Sequence, residues 1–228
     1  MELDILYRDK HLLAINKPHG LLVHRSSIAT NADVFALQLV RDQIGQRVYP
    51  VHRLDRKTGG VLLFALSKEM HAELSDLFKN GEVNKKYLAI VRGYTKEKES
   101  IDYPLKNDKG KIQEALTHYT TISKADIPYA LEKHSTQRYS LVEVKPETGR
   151  MHQIRKHFSH IFHPIIGDRP HGCNKQNRFF KEQFSMDTML LHAHSIEFHH
   201  PRNKKLIKIT APLKSEFKRM IKVLGLSY

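Results

Sequence analysis

The sequence has 228 residues, 40% of them apolar, and a formal net charge of +14. This apolar fraction supports a folded core and argues against a disordered chain. No run of about 18 apolar residues is present, so we expect no membrane-spanning helix, and the N-terminus does not resemble a signal peptide. The single cysteine, Cys173, excludes an internal disulfide framework and a cysteine-based zinc site. Together these features indicate a cytoplasmic protein.

The charge is the first indication of function. A positive field of this size, with a pI of about 9.8, concentrates polyanions at the protein surface. Nucleic acid is the commonest partner of that kind. The alternative is a basic protein that has no anionic ligand.

The N-terminal region predicts a pair of strands and then a helix. Residues 3–7 and 11–15 have the pattern of two short strands joined by a turn at residues 8–10. Apolar residues at helical spacing predict a helix over 33–44, and Gly45 stands where a C-terminal cap is expected.

The middle of the chain is less regular. The apolar run 61–66 predicts a strand buried on both faces, and Ser67 is placed to cap the helix that follows. Residues 87–91 predict another strand. Residues 95–135, which begin with the charged run TKEKES, predict loops with one or two peripheral strands.

The C-terminal part returns to regular patterns. It predicts strands at 139–144, 189–198 and 205–210, and helices at 149–162 and 213–224. Strands outnumber helices and do not alternate regularly with them, which favours an α+β fold with a mixed sheet over a doubly wound one.

One segment indicates chemistry. Residues 52–60 read HRLDRKTGG and precede the apolar strand, so they form a loop at a strand end. Asp55 lies between Arg53 and Arg56, and nearby positive charge favours an ionised carboxylate, which can act as a nucleophile. From spacing alone, a surface ion pair is the alternative.

At this point the sequence resembles the RluA family of pseudouridine synthases, whose signature is HRLDxxTSG. Further blocks match that family in the expected order: NKPHGLLVH at 16–24, KKYLAIVRG at 85–93, ETGRMHQIRKHFSHIFHPIIGD at 147–168 and, more weakly, LLHAHSIEFHHP at 190–201. The blocks cover nearly the whole chain. The resemblance implies a pseudouridine synthase fold, in which a largely antiparallel mixed sheet is flanked by helices and crossed by the catalytic cleft.

The resemblance also implies catalytic roles. Asp55 would attack the target nucleotide, at the ribose or the uracil ring, so that the base is detached and rejoined through carbon. Tyr87 would pack on the flipped uracil and assist proton transfer, although a core aromatic is the alternative. Arg155 would pair with the Asp55 carboxylate and orient it, since its fork can hold a carboxylate in two bonds. No metal, cofactor or energy source is implied.

Other matched positions point to RNA binding. Arg53 resembles the residue that enters the RNA helix when the target base is extruded. Ile154 would line the uracil pocket or simply belong to the core. Three further positions are interpreted as substrate contacts: His52, whose role is open, and Lys17 and Arg150, which would contact phosphate or support the structure. His152 and Lys156 share that last interpretation.

Two features depart from a simple match. Gly59 stands where the family usually has serine, which puts the hydrogen bonding of the loop in doubt. The chain also has 16 histidines, and a zinc site needs three or four converging ligands. Several of these histidines lie inside the family blocks, which explains them without a metal.

The resemblance leans towards the tRNA branch that modifies uridine 65, on the segments VHRSS, VRDQIGQ and GDRPHGCNKQNRFF. A ribosomal RNA target, or both RNAs, is the alternative. We expect a single catalytic domain over 1–228, with two lobes possible and no N-terminal S4-like RNA-binding domain, acting as a monomer. Two other classes stay open: an RNA-binding module without activity and a histidine-metal hydrolase.

Overall fold

The computed structural model describes residues 1–24, 34–131 and 135–228. The chain folds as two compact units: unit 1 comprises Met1–Lys85 and Ala193–Pro212, and unit 2 comprises Lys86–His192 and Leu213–Tyr228. Within the described ranges, no helix is long and apolar enough to cross a membrane.

The described residues form twelve strands and five helices, so the expectation that strands outnumber helices is confirmed. In chain order they are β1 (Ile5–Arg8), β2 (Leu12–Lys17), α1 (Ala36–Ile44), β3 (Tyr49–Pro50), β4 (Gly59–Ala65), α2 (Lys68–Lys79), β5 (Asn84–Arg92), β6 (Lys98–Asp102), β7 (Leu105–Lys106), β8 (Ile112–Gln113), β9 (Leu116–Ile127), β10 (Gln137–Pro146), α3 (Gln153–His160), α4 (Asn174–Phe184), β11 (Leu191–His199), β12 (Leu206–Thr210) and α5 (Ser215–Val223).

Unit 1 is built on an antiparallel sheet. Strand β2 pairs with β1 on one side and with β4 on the other, and β3 also pairs with β4. Every residue of β4 is buried, which confirms the strand predicted from the apolar run. Met70 and Leu74 of α2 pack with Leu12, Val61 and Leu63 in the core of this unit.

Two helix ends in unit 1 follow from local sequence. The Ser67 side chain accepts a hydrogen bond from the Met70 N–H at 3.1 Å, as its position before α2 predicts. Gly45 ends α1 in the left-handed conformation, with φ at 67°. The helix expected over 33–44 begins at Ala36, and Asp33 lies outside the described residues.

Unit 2 contains a four-stranded antiparallel ladder in the order β5-β10-β9-β6. Successive side chains of a strand point to opposite faces, and both faces are covered. Leu88 and Ile90 of β5 pack in a cluster with aromatic residues of α4 and with α5. Ala89 and Val91 pack in a second cluster that includes Phe158 of α3.

For unit 2, the structure corrects two sequence expectations and adds a helix that the sequence did not predict. Residues 95–135 were expected to form loops with one or two peripheral strands. They contain instead the twelve-residue strand β9, which lies inside the ladder between β10 and β6. The strand lacks a clear apolar alternation, because Thr117 is buried and polar whereas the apolar Ile122 is 40% exposed. A helix over 174–184 was missed. The helix expected over 149–162 begins at Gln153, whose side chain accepts from the Arg150 N–H at 3.0 Å. Met151 therefore precedes the helix and is 38% exposed.

Candidate active site

Asp55 lies in a tight turn that leads into β4. The Thr58 N–H donates to the Asp55 carbonyl oxygen at 3.0 Å, which is the i to i+3 bond of a β-turn. Asp55 itself is half-buried. Gly60 follows with φ at +112°, and a Cβ there would lie 2.1 Å from the Ala193 carbonyl oxygen, so the start of β4 requires glycine.

The segment Lys17–Gly20, called here the supporting segment, is bonded to this turn. Gly20 N–H donates to the Arg56 carbonyl at 2.8 Å, and Arg56 Nε donates back to the Gly20 carbonyl at 3.0 Å. His19 Nδ1 lies 2.7 Å from the Lys57 carbonyl oxygen. Since a carbonyl only accepts, the proton of this bond is on Nδ1. Both central residues of the turn are therefore held by the supporting segment.

Lys17 supports the same turn from inside unit 1. Its side chain is 0% exposed, and its Nζ donates to the carbonyls of Pro18, Leu21 and Arg56 at 2.9, 2.8 and 3.2 Å. Burial lowers the pKa of Lys17 to about 7, and the negative charge of Asp55 opposes this. Of the two roles expected for Lys17, phosphate contact or support, this geometry fits support.

His52 and Arg53, which precede Asp55, have different surroundings. His52 Nε2 accepts from the Leu63 N–H at 3.1 Å, and the ring stacks on Phe78 with centroids 4.8 Å apart. Burial, together with the positive charge of Lys85, lowers the pKa of His52 to about 4. A neutral ring held in this way fits a supporting role. Arg53 is exposed, as a side chain that enters RNA must be.

In unit 2, the structure brings Tyr87 and Ile154 into one cluster. Tyr87 lies on β5 opposite Val144 of β10 and is half-buried. Ile154, in the first turn of α3, is 7% exposed and belongs to the apolar cluster against which Tyr87 packs. Ile154 is therefore buried in the core, and Tyr87 packs at the edge of the same cluster with part of its side chain exposed.

Arg155 is buried and its charge is balanced by Asp168. Arg155 Nε and Nη2 donate to the two oxygens of Asp168, both at 2.8 Å. The side chains are 8% and 1% exposed. This is the planar two-bond arrangement that favours arginine over lysine. It occupies one edge of the guanidinium, so the Nη1 edge faces the opposite direction.

Asp168 lies within a matched family block but was not predicted as the partner of Arg155. A buried guanidinium stays charged and requires an acidic partner, but the burial of Arg155 is seen only in the structure. Asp168 is also fixed through its backbone. Asn177 Nδ2 donates to the Asp168 carbonyl at 2.7 Å, and the Asn177 side-chain oxygen accepts from Gly167 N–H at 2.9 Å.

The remaining predicted contacts of unit 2 support local structure. Arg150 Nε donates to the Glu114 carbonyl at 2.9 Å, and Lys156 Nζ donates to the Lys106 carbonyl at 3.2 Å. His152, at φ 56°, lies with its Nδ1 2.9 Å from Nε2 of His171. Burial lowers the pKa of His171, which the Asp168 carboxylate opposes.

The histidines near α3 make separate contacts. His157 Nε2 bonds to the Tyr103 carbonyl at 3.0 Å, His160 stacks on the Tyr103 ring, and His163 Nδ1 bonds to the Arg92 carbonyl at 2.8 Å. Within residues 1–24, 34–131 and 135–228, no three His, Cys, Asp or Glu side chains are grouped so that they could hold a metal ion.

Comparison with known proteins gives a consistent result. The family model described as RNA pseudouridylate synthase matches residues 11–160. A protein of Haemophilus ducreyi named tRNA pseudouridine synthase C is 48% identical, with 99% of this chain and 97% of that protein covered. Proteins of the same name from Vibrio cholerae and Haemophilus influenzae are 44% and 45% identical, each covering 98% of this chain and, respectively, 96% and 98% of their own lengths.

Solved structures agree on the fold. Human RNA Pseudouridylate Synthase Domain Containing 4 aligns with a TM-score of 0.78 at 24% identity, covering 99% of this chain and 94% of that one. Human RNA Pseudouridylate Synthase Domain Containing 1 aligns with a TM-score of 0.73 at 22% identity, covering 98% and 95%. These matches confirm the α+β fold class expected from the sequence.

Proposed function

Since the chain belongs to the RNA pseudouridylate synthase family, we propose that it isomerises one uridine of tRNA to pseudouridine and that uridine 65 is its target. The protein is an isomerase that acts on RNA. The observation that carries the tRNA assignment is the similarity, over nearly the whole chain, to proteins named tRNA pseudouridine synthase C.

Further observations support this substrate. The formal net charge of +14 suits a polyanion. Of the segments that lean towards uridine 65, VRDQIGQ lies at the end of α1, and GDRPHGCNKQNRFF contains Asp168 and the start of α4. The segment VHRSS falls partly outside the described residues. Ribosomal RNA is the alternative substrate.

We propose that Asp55 is the nucleophile. In the overall reaction the C1′–N1 bond breaks, the C1′–C5 bond forms, C5 loses a proton and N1 gains one. Asp55 is supported for this task by its turn, which is bonded to the supporting segment on both central residues. Lys17 lies close enough for the two charges to interact. Such a loop, held at the end of a strand of a rigid scaffold, suits a reacting group.

The other proposed roles follow the family resemblance. The resemblance assigns Arg155, whose Nε and Nη2 are held by Asp168, to orienting the catalytic carboxylate. Tyr87 would stack on the flipped uracil, with Ile154 beside it. Arg53 would fill the space that the extruded base leaves, which offsets part of the unstacking cost of about a few kcal/mol. His52, Arg150 and Lys17 would hold the RNA-facing surface in shape.

The experiment incubates the protein with unmodified tRNA transcript and excess chelator, and then maps pseudouridine along the RNA. Conversion at position 65 is expected without added metal, nucleotide or cofactor. Asp55→Asn keeps the side-chain shape but removes the nucleophile, so it should form no product while it still folds and binds tRNA.

A parallel reaction with ribosomal RNA fragments separates the substrates. Product on ribosomal RNA alone would overturn the tRNA assignment, and no product on either RNA would overturn the proposed function. An Asp55→Asn rate near that of the wild type would overturn the nucleophile assignment. The chelator arm also tests the metal-dependent hydrolase alternative.

Localisation and oligomeric state complete the proposal. We expect a cytoplasmic protein, since the single cysteine gives no internal disulfide that an oxidising compartment would favour. We also expect a monomer. Light scattering at assay concentration checks the second expectation, and fractionation of cells checks the first.

A further inference from the structure

The glycine that departs from the family pattern lies directly against His19. A Cβ built on Gly59 would lie 2.9 Å from His19 Nε2, 3.0 Å from its Cδ2 and 3.2 Å from the Lys17 carbonyl oxygen. Non-bonded carbon contacts are favourable only near 3.5–4.0 Å. The imidazole therefore occupies the space into which a side chain at position 59 would extend.

The backbone of Gly59 does not explain the glycine. Gly60, its neighbour, has φ at +112°, whereas Gly59 lies outside the left-handed region. Residues with a side chain adopt such a backbone conformation without strain. Position 59 requires glycine because the His19 ring fills the space that a side chain would need.

His19 is also bonded to the turn that carries Asp55. Its Nδ1 donates to the Lys57 carbonyl at 2.7 Å, and Lys57 is a central residue of that turn. Because Thr58 N–H closes the turn onto the Asp55 carbonyl, a movement at Lys57 changes the position of Asp55. The same imidazole bonds to Lys57 and fills the space beside Gly59, on the other side of Thr58.

We propose that His19 and Gly59 form a complementary pair that positions Asp55. The ring replaces a side chain at position 59 as the support of the turn, and His19 is a positioning residue that acts through Lys57. The functional part of this inference rests on the proposed role of Asp55.

The pair makes a distinctive prediction for a double-mutant cycle. Gly59→Ser places a side chain against the ring, and His19→Ala removes the bond to Lys57, so each should lower the single-turnover rate by about tenfold, as small misplacements at a reacting centre do. In His19→Ala/Gly59→Ser the serine enters the vacated space. Its rate should exceed that of Gly59→Ser alone. If the two substitutions acted independently, the double variant would instead be slower than either single variant, by the product of the two losses.

Two further variants separate positioning from stability. His19→Asn keeps a donor near the Nδ1 position in a smaller side chain, and should retain more activity than His19→Ala. His71→Ala is the matched control, because His71 is an imidazole of unit 1 that contacts the Tyr49 ring and lies on α2. It should leave the rate unchanged. For all of these variants of His19, Gly59 and His71, the tRNA dissociation constant should stay within about threefold of wild type, because contacts to phosphate govern binding.

Thermal unfolding of the same variants provides a readout that does not need catalysis. Gly59→Ser should lower the melting temperature, and adding His19→Ala should raise it again. If the wild type is inactive on RNA, the proposed function fails, yet this stability cycle still tests the packing of the pair. If the wild type is active and the effects on rate and melting temperature are additive, or Gly59→Ser behaves as the wild type, the inference is overturned.

Discussion

The two units hold their key charged residues in different ways. In unit 1, Asp55 lies on a turn fixed by the chain's own carbonyls and N–H groups, with the buried ammonium of Lys17 beneath it. In unit 2, Arg155 is fixed by a buried carboxylate, that of Asp168. The first arrangement fixes a backbone turn, and the second fixes the plane of one side chain.

The difference follows from the chemistry of the two cations. A lysine ammonium can release its proton when burial makes the charge costly, and burial does lower the pKa of Lys17 to about 7. A guanidinium stays charged in proteins, so a buried arginine requires an acid. The two sites should therefore respond differently to substitution and to pH.

The largest effect is expected on the stability of unit 2. Asp168→Asn leaves the buried Arg155 guanidinium without its counter-charge, which should lower the free energy of unfolding by about 3–5 kcal/mol. Glu97→Gln is the matched control, since it breaks the solvent-exposed pair with Lys124 in the same unit and should cost less than about 1 kcal/mol. Urea unfolding measures both. Equal losses would show that burial of the Arg155–Asp168 pair has no energetic consequence.

A smaller effect is expected on catalysis from Arg155→Lys. Lysine keeps the charge but loses the planar fork, so it cannot make both bonds to Asp168. The single-turnover rate should fall about a hundredfold, or about 2.7 kcal/mol of barrier, while tRNA affinity changes little. Arg138→Lys, in an exposed pair with Asp126 of the same unit, should leave the rate unchanged. A rate near wild type for Arg155→Lys would remove Arg155 from the proposed mechanism.

The strongly patterned elements of the fold could be predicted from the sequence. The apolar run of β4, the Ser67 cap and the Gly45 terminus each depend on a few neighbouring residues, and the structure confirms them. Strand β9 could not be predicted, because its stability comes from ladders to β6 and β10 that are distant in sequence. The start of α3 depended on one side chain, that of Gln153.

The candidate site also has a part that the sequence predicted and a part that it did not. Asp55 was identified from its motif, and the structure places it in a loop at a strand end, as the sequence indicated. Asp168 and His19 were missed as partners. Their importance comes from a buried ion pair and from an atom-to-atom contact with Gly59. Neither distance is encoded in residue spacing, and family resemblance did not supply them.

The most gradual effect is a pH dependence in unit 1, which is spread over several pH units. The pKa of Lys17 is about 7 in the folded chain and about 10.4 in an unfolded one, so between these values the unfolded chain binds more protons. Lys17 then makes stability rise with pH, by up to about 1.4 kcal/mol per pH unit, and the rise begins near pH 7. Lys17→Met should lack this rise. The measurement is the difference in unfolding free energy between wild type and Lys17→Met across this range.

Asp55 sharpens the same experiment. Its negative charge raises the pKa of Lys17 against the larger effect of burial, so Asp55→Asn should lower that pKa further and move the onset of the rise to lower pH. Three carbonyl acceptors favour the charged ammonium, and burial opposes them. If wild type and Lys17→Met keep a constant difference from pH 7 to 9.5, the carbonyls prevail and Lys17 stays charged. In that case both units would hold a permanently charged cation. The two units would then differ only in the groups that bind this cation, which are three carbonyls in unit 1 and one carboxylate in unit 2.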